Sequence, residues 1–191
     1  MTESGPLLAV VAFPRLAAAD RAWIEAIRAR HDPQATRIAA HFTLFFPAAV
    51  ERAELEEATT SAAATTRPID FSLALVDAID GTGVEGAHFF LVPDRGNREL
   101  LALHALLLRG ALGRHRRADL PFLPHVTVAA TRVREPCDRL ARELRRERRM
   151  AAGIEGTVES LDLVEVAATR AASLRRFMLS GDDRRRTTTP M

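Results

Sequence analysis

Apolar and polar positions along the chain follow two rhythms, a period of two and a period near 3.6, and each change of rhythm marks an element. Leu7 to Phe13 is an apolar run halted by Pro14, which predicts a buried strand. From Ala17 to Arg30 the pattern is helical, with Trp23, Ile24 and Ile27 on one stripe and Arg21, Glu25 and Arg28 expected outside. After a turn at Asp32-Pro33 comes a strand that contains His41-Phe42-Thr43-Leu44, runs into Phe45-Phe46 and ends at Pro47. Val50 to about Ala64 predicts a second helix, with Glu51, Glu54, Glu56 and Glu57 near its N-terminal end, where the helix dipole favours negative charge. Strands are expected at Ile69 to Ile79 and at Gly86 to Val92, joined as a hairpin by the turn-rich Asp80 to Glu85.

The rhythm then repeats. Asn97 to Leu112 reads as a leucine-rich helix, with Asn97 as its cap and Gly113 as its stop. A basic loop, Arg114 to Arg117, and Pro121-Phe122-Leu123-Pro124 lead into a strand that contains His125-Val126-Thr127-Val128. Glu135 to Met150 is amphipathic, with Cys137, Leu140, Ala141 and Leu144 on one face. Arg139, Arg142, Arg145, Arg146 and Arg149 join Glu143 and Glu147 on a solvated face. Two strands follow, about Val158 to Ala167 and Ser173 to Ser180, and the polar residues 182–191 are expected to be a disordered tail.

Each half therefore reads strand, helix, His strand, helix, strand. Val10 and His41 are 31 residues apart, Leu91 and His125 are 34 apart, and the following strands are reached after similar intervals. The expectation is an α+β fold in one bilobal domain, residues 1–181, made of two pseudo-symmetric units of about 7–80 and 86–180 around a central cleft.

Composition narrows the functional classes. No apolar stretch is as long as a membrane span, and residues 1–6 lack the basic and apolar regions of a secretory signal, so a cytoplasmic protein without membrane association is expected, and a monomer. The single Cys137 offers no internal disulfide and no thiolate cluster. All 27 basic residues are Arg and the net charge is only +2, so composition alone is a poor argument for general nucleic-acid affinity. Gly81, Gly83 and Gly86 match the spacing of a dinucleotide-binding loop, but that motif needs a helix after it and here a strand follows.

The two tetrapeptides carry the chemistry. In a strand, residues two apart share a face, so each motif sets an imidazole beside a hydroxyl. With 6 His and 15 Thr in 191 positions, chance gives about 0.5 His-x-Thr matches. Two matches at corresponding places in a repeat are a much stronger signal. A pair of imidazoles across a cleft can act as base and acid at one pH, and the Thr hydroxyls can donate to phosphoryl oxygens as charge develops there. No cofactor is expected, and no metal, since the chain lacks clustered ligands at recognisable spacing. His104 is expected to be packed in its helix, and His31, His88 and His115 to be loop, strand or surface residues.

These motifs, with Pro124 ahead of the second and Phe122 before it, resemble the 2H phosphoesterase superfamily, which includes the 2′-5′ RNA ligases and 2′,3′-cyclic phosphodiesterases. The resemblance extends from Leu8 to about Leu179. It implies His41 and His125 as the catalytic pair and Thr43 and Thr127 as phosphate ligands. It also implies hydrolysis of cyclic phosphodiesters at RNA ends or on nucleotides, with reversible 2′-5′ ligation as a related activity. The alternative is a non-catalytic module that holds RNA or a nucleotide in the same cleft. RNA-ligase-like members often carry an Arg soon after the second motif. Here Arg132 comes later, and strand alternation sets it on the face opposite His125. The chain has no Tyr, so stacking would fall to Phe45, Phe46 or Phe122, and Arg114, Arg116 and Arg117 are candidate RNA contacts.

Overall fold

A computed structural model describes residues 6–80, 87–117, 121–131, 134–167 and 169–181. The expected Asp80–Glu85 turn, Arg132 and the tail at 182–191 fall outside or largely outside these residues. The first unit comprises β1 (Leu7–Ala12), the two-residue β2 (Arg15–Leu16), α1 (Ala18–His31), β3 (Phe42–Ala48), α2 (Arg52–Thr65) and β4 (Ile69–Asp80). The second comprises β5 (Ala87–Arg95), α3 (Asn97–Leu107), β6 (Val126–Thr131), α4 (Arg134–Arg146), α5 (Arg148–Ala152), β7 (Ile154–Val158), β8 (Ser160–Val166) and β9 (Ala171–Met178).

The strands form one antiparallel sheet in the order β2-β7-β4-β5-β6-β3-β1-β8-β9. Its centre is the junction of β3 and β6, which meet through the single pair Phe42 and Val126. Reading outward from that pair, β6, β5 and β4 on one side answer to β3, β1 and β8 on the other. The ends of both units have therefore crossed into the opposite half: β4 lies beside β5, and β8 beside β1 with β9 outside it. The helices cross as well, α1 packing on β6 and α3 on β3. Two lobes linked this way cannot separate without breaking the sheet.

The helices cover one face of the sheet. Leu8, Val10 and Ala12 of β1 join the main core there, with Leu44, Phe89, Leu91, Val126 and Val128. Ala9 and Val11 point the other way, into a small second cluster with Val164, Ile38 and Val166.

Several element boundaries differ from expectation. The leucine-rich helix stops at Leu107, and Gly110 to His115 form a separate 3-10 helix. Gly110 takes a φ of +61°, a left-handed conformation that ends the α-helical path. Gly96, not Asn97, caps α3: its φ is +80°, and a Cβ there would lie 2.6 Å from the Asp70 carbonyl oxygen, so only glycine fits. Asn97 instead donates its side-chain amide to the Pro93 carbonyl. The helix expected from Glu135 to Met150 is two helices broken at Glu147, whose ψ of 133° is extended. The strand expected from Val158 is β8, preceded by a separate β7 that continues the sheet past β4.

Candidate active site

Both motif strands are bulged at the same place. Val10 pairs with Phe45 and Val11 with Thr43, which leaves Leu44 extra on β3. Phe89 pairs with Ala129 and Phe90 with Thr127, which leaves Val128 extra on β6. The fourth residue of each tetrapeptide is thus the bulged one, and alternation reverses beyond it. His41 and Thr43 share the cleft face with Phe46, and His125 and Thr127 share it with Ala130. Phe45, which simple alternation would place beside Thr43, is turned into the core at 1% exposure, where its ring meets the edge of His115. It does not line the cleft, where a substrate contact was expected. Arg132 lies outside the described residues.

The cleft is a cavity of about 460 Å³, and all four motif side chains, His41, Thr43, His125 and Thr127, line it. In the register set by Phe42 and Val126, His41 stands across from Thr127 and His125 across from Thr43. Each imidazole is tied to the carbonyl two residues back: His41 Nδ1 lies 2.8 Å from Ala39 O, and His125 Nδ1 lies 2.6 Å from Leu123 O. A carbonyl oxygen only accepts, so Nδ1 carries the proton in both rings, and Nε2 of the neutral ring keeps its lone pair.

The surroundings of the two rings differ. Phe90 lies flat against His125 with ring centroids 3.7 Å apart, and His88 continues the column at 6.0 Å from Phe90. Burial pushes His125 down to about 4 despite the bond to Leu123, and the neighbouring His41 and His88 push the same way. His41 is also lowered by burial, with Arg28 adding to the effect, while the bond to Ala39 and the carboxylates of Asp32 and Glu25 oppose it. The positions of Phe90 and His88 correspond in the first half to Val11 and Ala9, so the cleft has one aromatic and one aliphatic flank.

The remaining candidates are scattered. Arg117 and Phe46 line the cavity; Arg114, Arg116 and Phe122 do not. Arg114 makes two bonds to the Glu54 carboxylate, at 2.9 and 2.6 Å, on α2. Phe122 is stacked on His104, 3.7 Å away and inclined by 11°, with its edge towards Phe46. His104, buried as expected, sits 2.8 Å through Nδ1 from Leu44 O, so it ties α3 to β3 and to the segment that leads into β6. His88, Phe90 and Arg28 line the cavity without having been singled out for it. His88 and Phe90 alternate on β5 as cleft residues should, but nothing in the sequence indicates which strand flanks β6. Among the described residues, no three His, Cys, Asp or Glu side chains gather as a metal-holding group, and no helix is long and apolar enough to cross a membrane.

Solved structures share this fold. E. coli LigT complexed with 3′-AMP superposes with a TM-score of 0.58 at 21% identity, covering 92% of this chain and 98% of its own. TT0787 of Thermus thermophilus gives 0.64 at 21%, covering 92% and 99%. Kluyveromyces marxianus Usb1 gives 0.56 at 12%, again covering 92% and 99%. A search of curated protein sequences found no match. The family model of the 2′-5′ RNA ligase superfamily matches residues 14–170, a span that contains both bulged His-x-Thr strands and the junction between them. The chain is therefore a member of the 2′-5′ RNA ligase superfamily, within the 2H phosphoesterases.

Proposed function

We propose that this protein is a metal-independent phosphoesterase that opens 2′,3′-cyclic phosphodiesters on RNA ends or nucleotides, with His41 and His125 as its acid–base pair. The observation that carries this reading is the placement of two imidazoles on one cavity wall, each with Nδ1 held by a backbone carbonyl and each facing the other motif's Thr. His125, held in its neutral form by burial and stacked on Phe90, is the base: its Nε2 takes a proton from water as the water oxygen bonds to phosphorus. His41, with two carboxylates nearby, is the acid and protonates the ribose oxygen as the ring P–O bond breaks. Thr43 and Thr127 donate to the non-bridging oxygens, whose charge grows in the transition state. With an RNA 5′-hydroxyl in the place of water and O3′ departing, the same displacement forms a 2′-5′ bond, and its reversal regenerates the cyclic phosphate.

The cavity volume suits a nucleotide, and the LigT complexes with 3′-AMP, ATP and NADP+ support an occupant of that class. A strained cyclic phosphate needs a base, an acid and fixed donors, none of which requires a Lewis acid. The test is a panel of nucleoside 2′,3′-cyclic phosphates and cyclic-phosphate-ended RNA, assayed after EDTA treatment with and without Zn²⁺, Mg²⁺ or Mn²⁺. Turnover that survives chelation is expected. Activity restored only by one metal would make the two histidines ligands, and saturable binding without turnover would make the chain a binding module.

A further inference from the structure

Arg28 stands on a helix face expected to meet water, yet it is 1% exposed and lies in the cavity wall. Burying a guanidinium is costly unless its donors are met, and here the chain itself meets them. Nε donates to Asp32 Oδ2 at 3.0 Å, Nη1 to the Glu25 carboxylate at 3.0 and 3.3 Å, and Nη2 to the Ile38 carbonyl at 2.8 Å. The same carboxylates grip the segment that leads to His41. Glu25 Oε1 accepts from Ala40 N–H at 2.7 Å, and Asp32 Oδ1 accepts from Gln34 N–H at 2.9 Å. Ala39, whose carbonyl fixes His41 Nδ1, therefore sits between two clamped peptide groups, Ile38 C=O and Ala40 N–H.

We infer that Glu25, Arg28 and Asp32 form a positioning unit for His41, holding the Ala39 carbonyl against Nδ1 and supplying a net negative charge that favours the imidazolium. The inference rests on the reading of His41 as a catalytic acid. The charged groups that act on His41 are Arg28, Asp32 and Glu25, from α1 and its C-terminal turn, while His125, His88 and Arg117 share its cavity. Two carboxylates against one guanidinium leave the cluster at one net negative charge. Arg28 is a positioning residue here, since its donors are committed and it offers the substrate little.

The test is Glu25→Gln, which removes one charge, keeps the side-chain shape and leaves the Arg28–Asp32 pair in place. In an NMR titration of the imidazoles, His41 should titrate lower by on the order of 0.5 unit, and His125 should move less. Turnover of a nucleoside 2′,3′-cyclic phosphate should fall about tenfold in kcat with KM changed by about twofold at most. Glu25→Asp, which keeps the charge, should restore the His41 titration. A cluster that only ties helix to loop would lower the melting temperature of Glu25→Gln and leave the His41 titration and its Nδ1–H tautomer unchanged. That result overturns the inference even if both histidines prove essential. Failure of the catalytic reading looks different: His41→Ala would turn over at the rate of the parent protein, whatever Glu25→Gln did to the titration. If Glu25→Gln does not fold, Asp32→Asn is read the same way, and an unmoved His41 there is equally fatal.

Discussion

The rings of Phe90 and His125 lie face to face, 3.7 Å between centroids and 24° between planes. The corresponding position beside His41 is Val11, and Phe13 approaches His41 only at 6.0 Å with a 60° tilt. A pseudo-symmetric fold thus carries two chemically unlike imidazoles. The stacked ring keeps water from His125 and fixes its plane. Phe90→Ala should let His125 titrate closer to the ordinary 6.5 and should lower kcat about tenfold, since a base held only by the Leu123 bond spends less time in line. Phe90→Leu, which keeps apolar cover, should fall between. Imidazole titration by NMR and steady-state kinetics check both.

Loss of either histidine should be severe. His41→Ala and His125→Ala are each expected to reduce turnover of a cyclic phosphate by about 10²–10⁴, the usual worth of a general acid or base, with binding of the product nucleotide largely kept. The double variant should be little worse than either single one, because the two act in one step.

The pH dependence follows from the lowered imidazoles. A base must be neutral, so the rate should rise with pH through the His125 value of about 4. An acid must be protonated, so the rate should fall as pH rises through the His41 value, which burial holds below 6.5. In kcat/KM, which reports the free protein, the bell should therefore centre on the acidic side of 6.5. A bound phosphate anion favours both imidazolium forms, so the kcat bell should lie at higher pH. The limbs belong to the coupled pair, and either histidine variant should displace them.

Stability should carry the same signature. His125 titrates near 6.5 in the unfolded chain and near 4 in the folded protein, so between those values the unfolded chain binds more protons. The folded state should lose stability as pH falls from about 6.5 to about 4, and His41 adds in the same direction. Urea midpoints at about pH 7 and about pH 4.5 test this. His125→Gln should lose less between the two than the parent protein does.

Gly96→Ala should destabilise the fold by about 2 kcal/mol or more, because alanine resists a φ of +80° and its Cβ would meet the Asp70 carbonyl. Urea denaturation would measure the loss. The site should keep its chemistry below the midpoint, since Gly96 caps α3 and does not line the cleft.

Local chemistry was enough to place each motif's histidine beside its threonine. Period-two alternation is a property of the backbone, so His41 with Thr43 and His125 with Thr127 share a face in any strand. The repeat of strand, helix and motif strand was equally legible, because each element carries its own apolar stripe wherever that stripe is buried. What lay across from each motif was not local and could not be read. The bulges at Leu44 and Val128 exist only against β1 and β5, and they decide that Phe46 reaches the cleft while Phe45 enters the core. The pairing of β5 with β6 and of β1 with β3 sets which residues flank each histidine, giving His125 an aromatic neighbour and His41 an aliphatic one. Arg28 looked like a solvated residue because helical periodicity counts faces and not acceptors. Its burial became tolerable only when the fold brought Glu25, Asp32 and the Ile38 carbonyl within reach of one guanidinium.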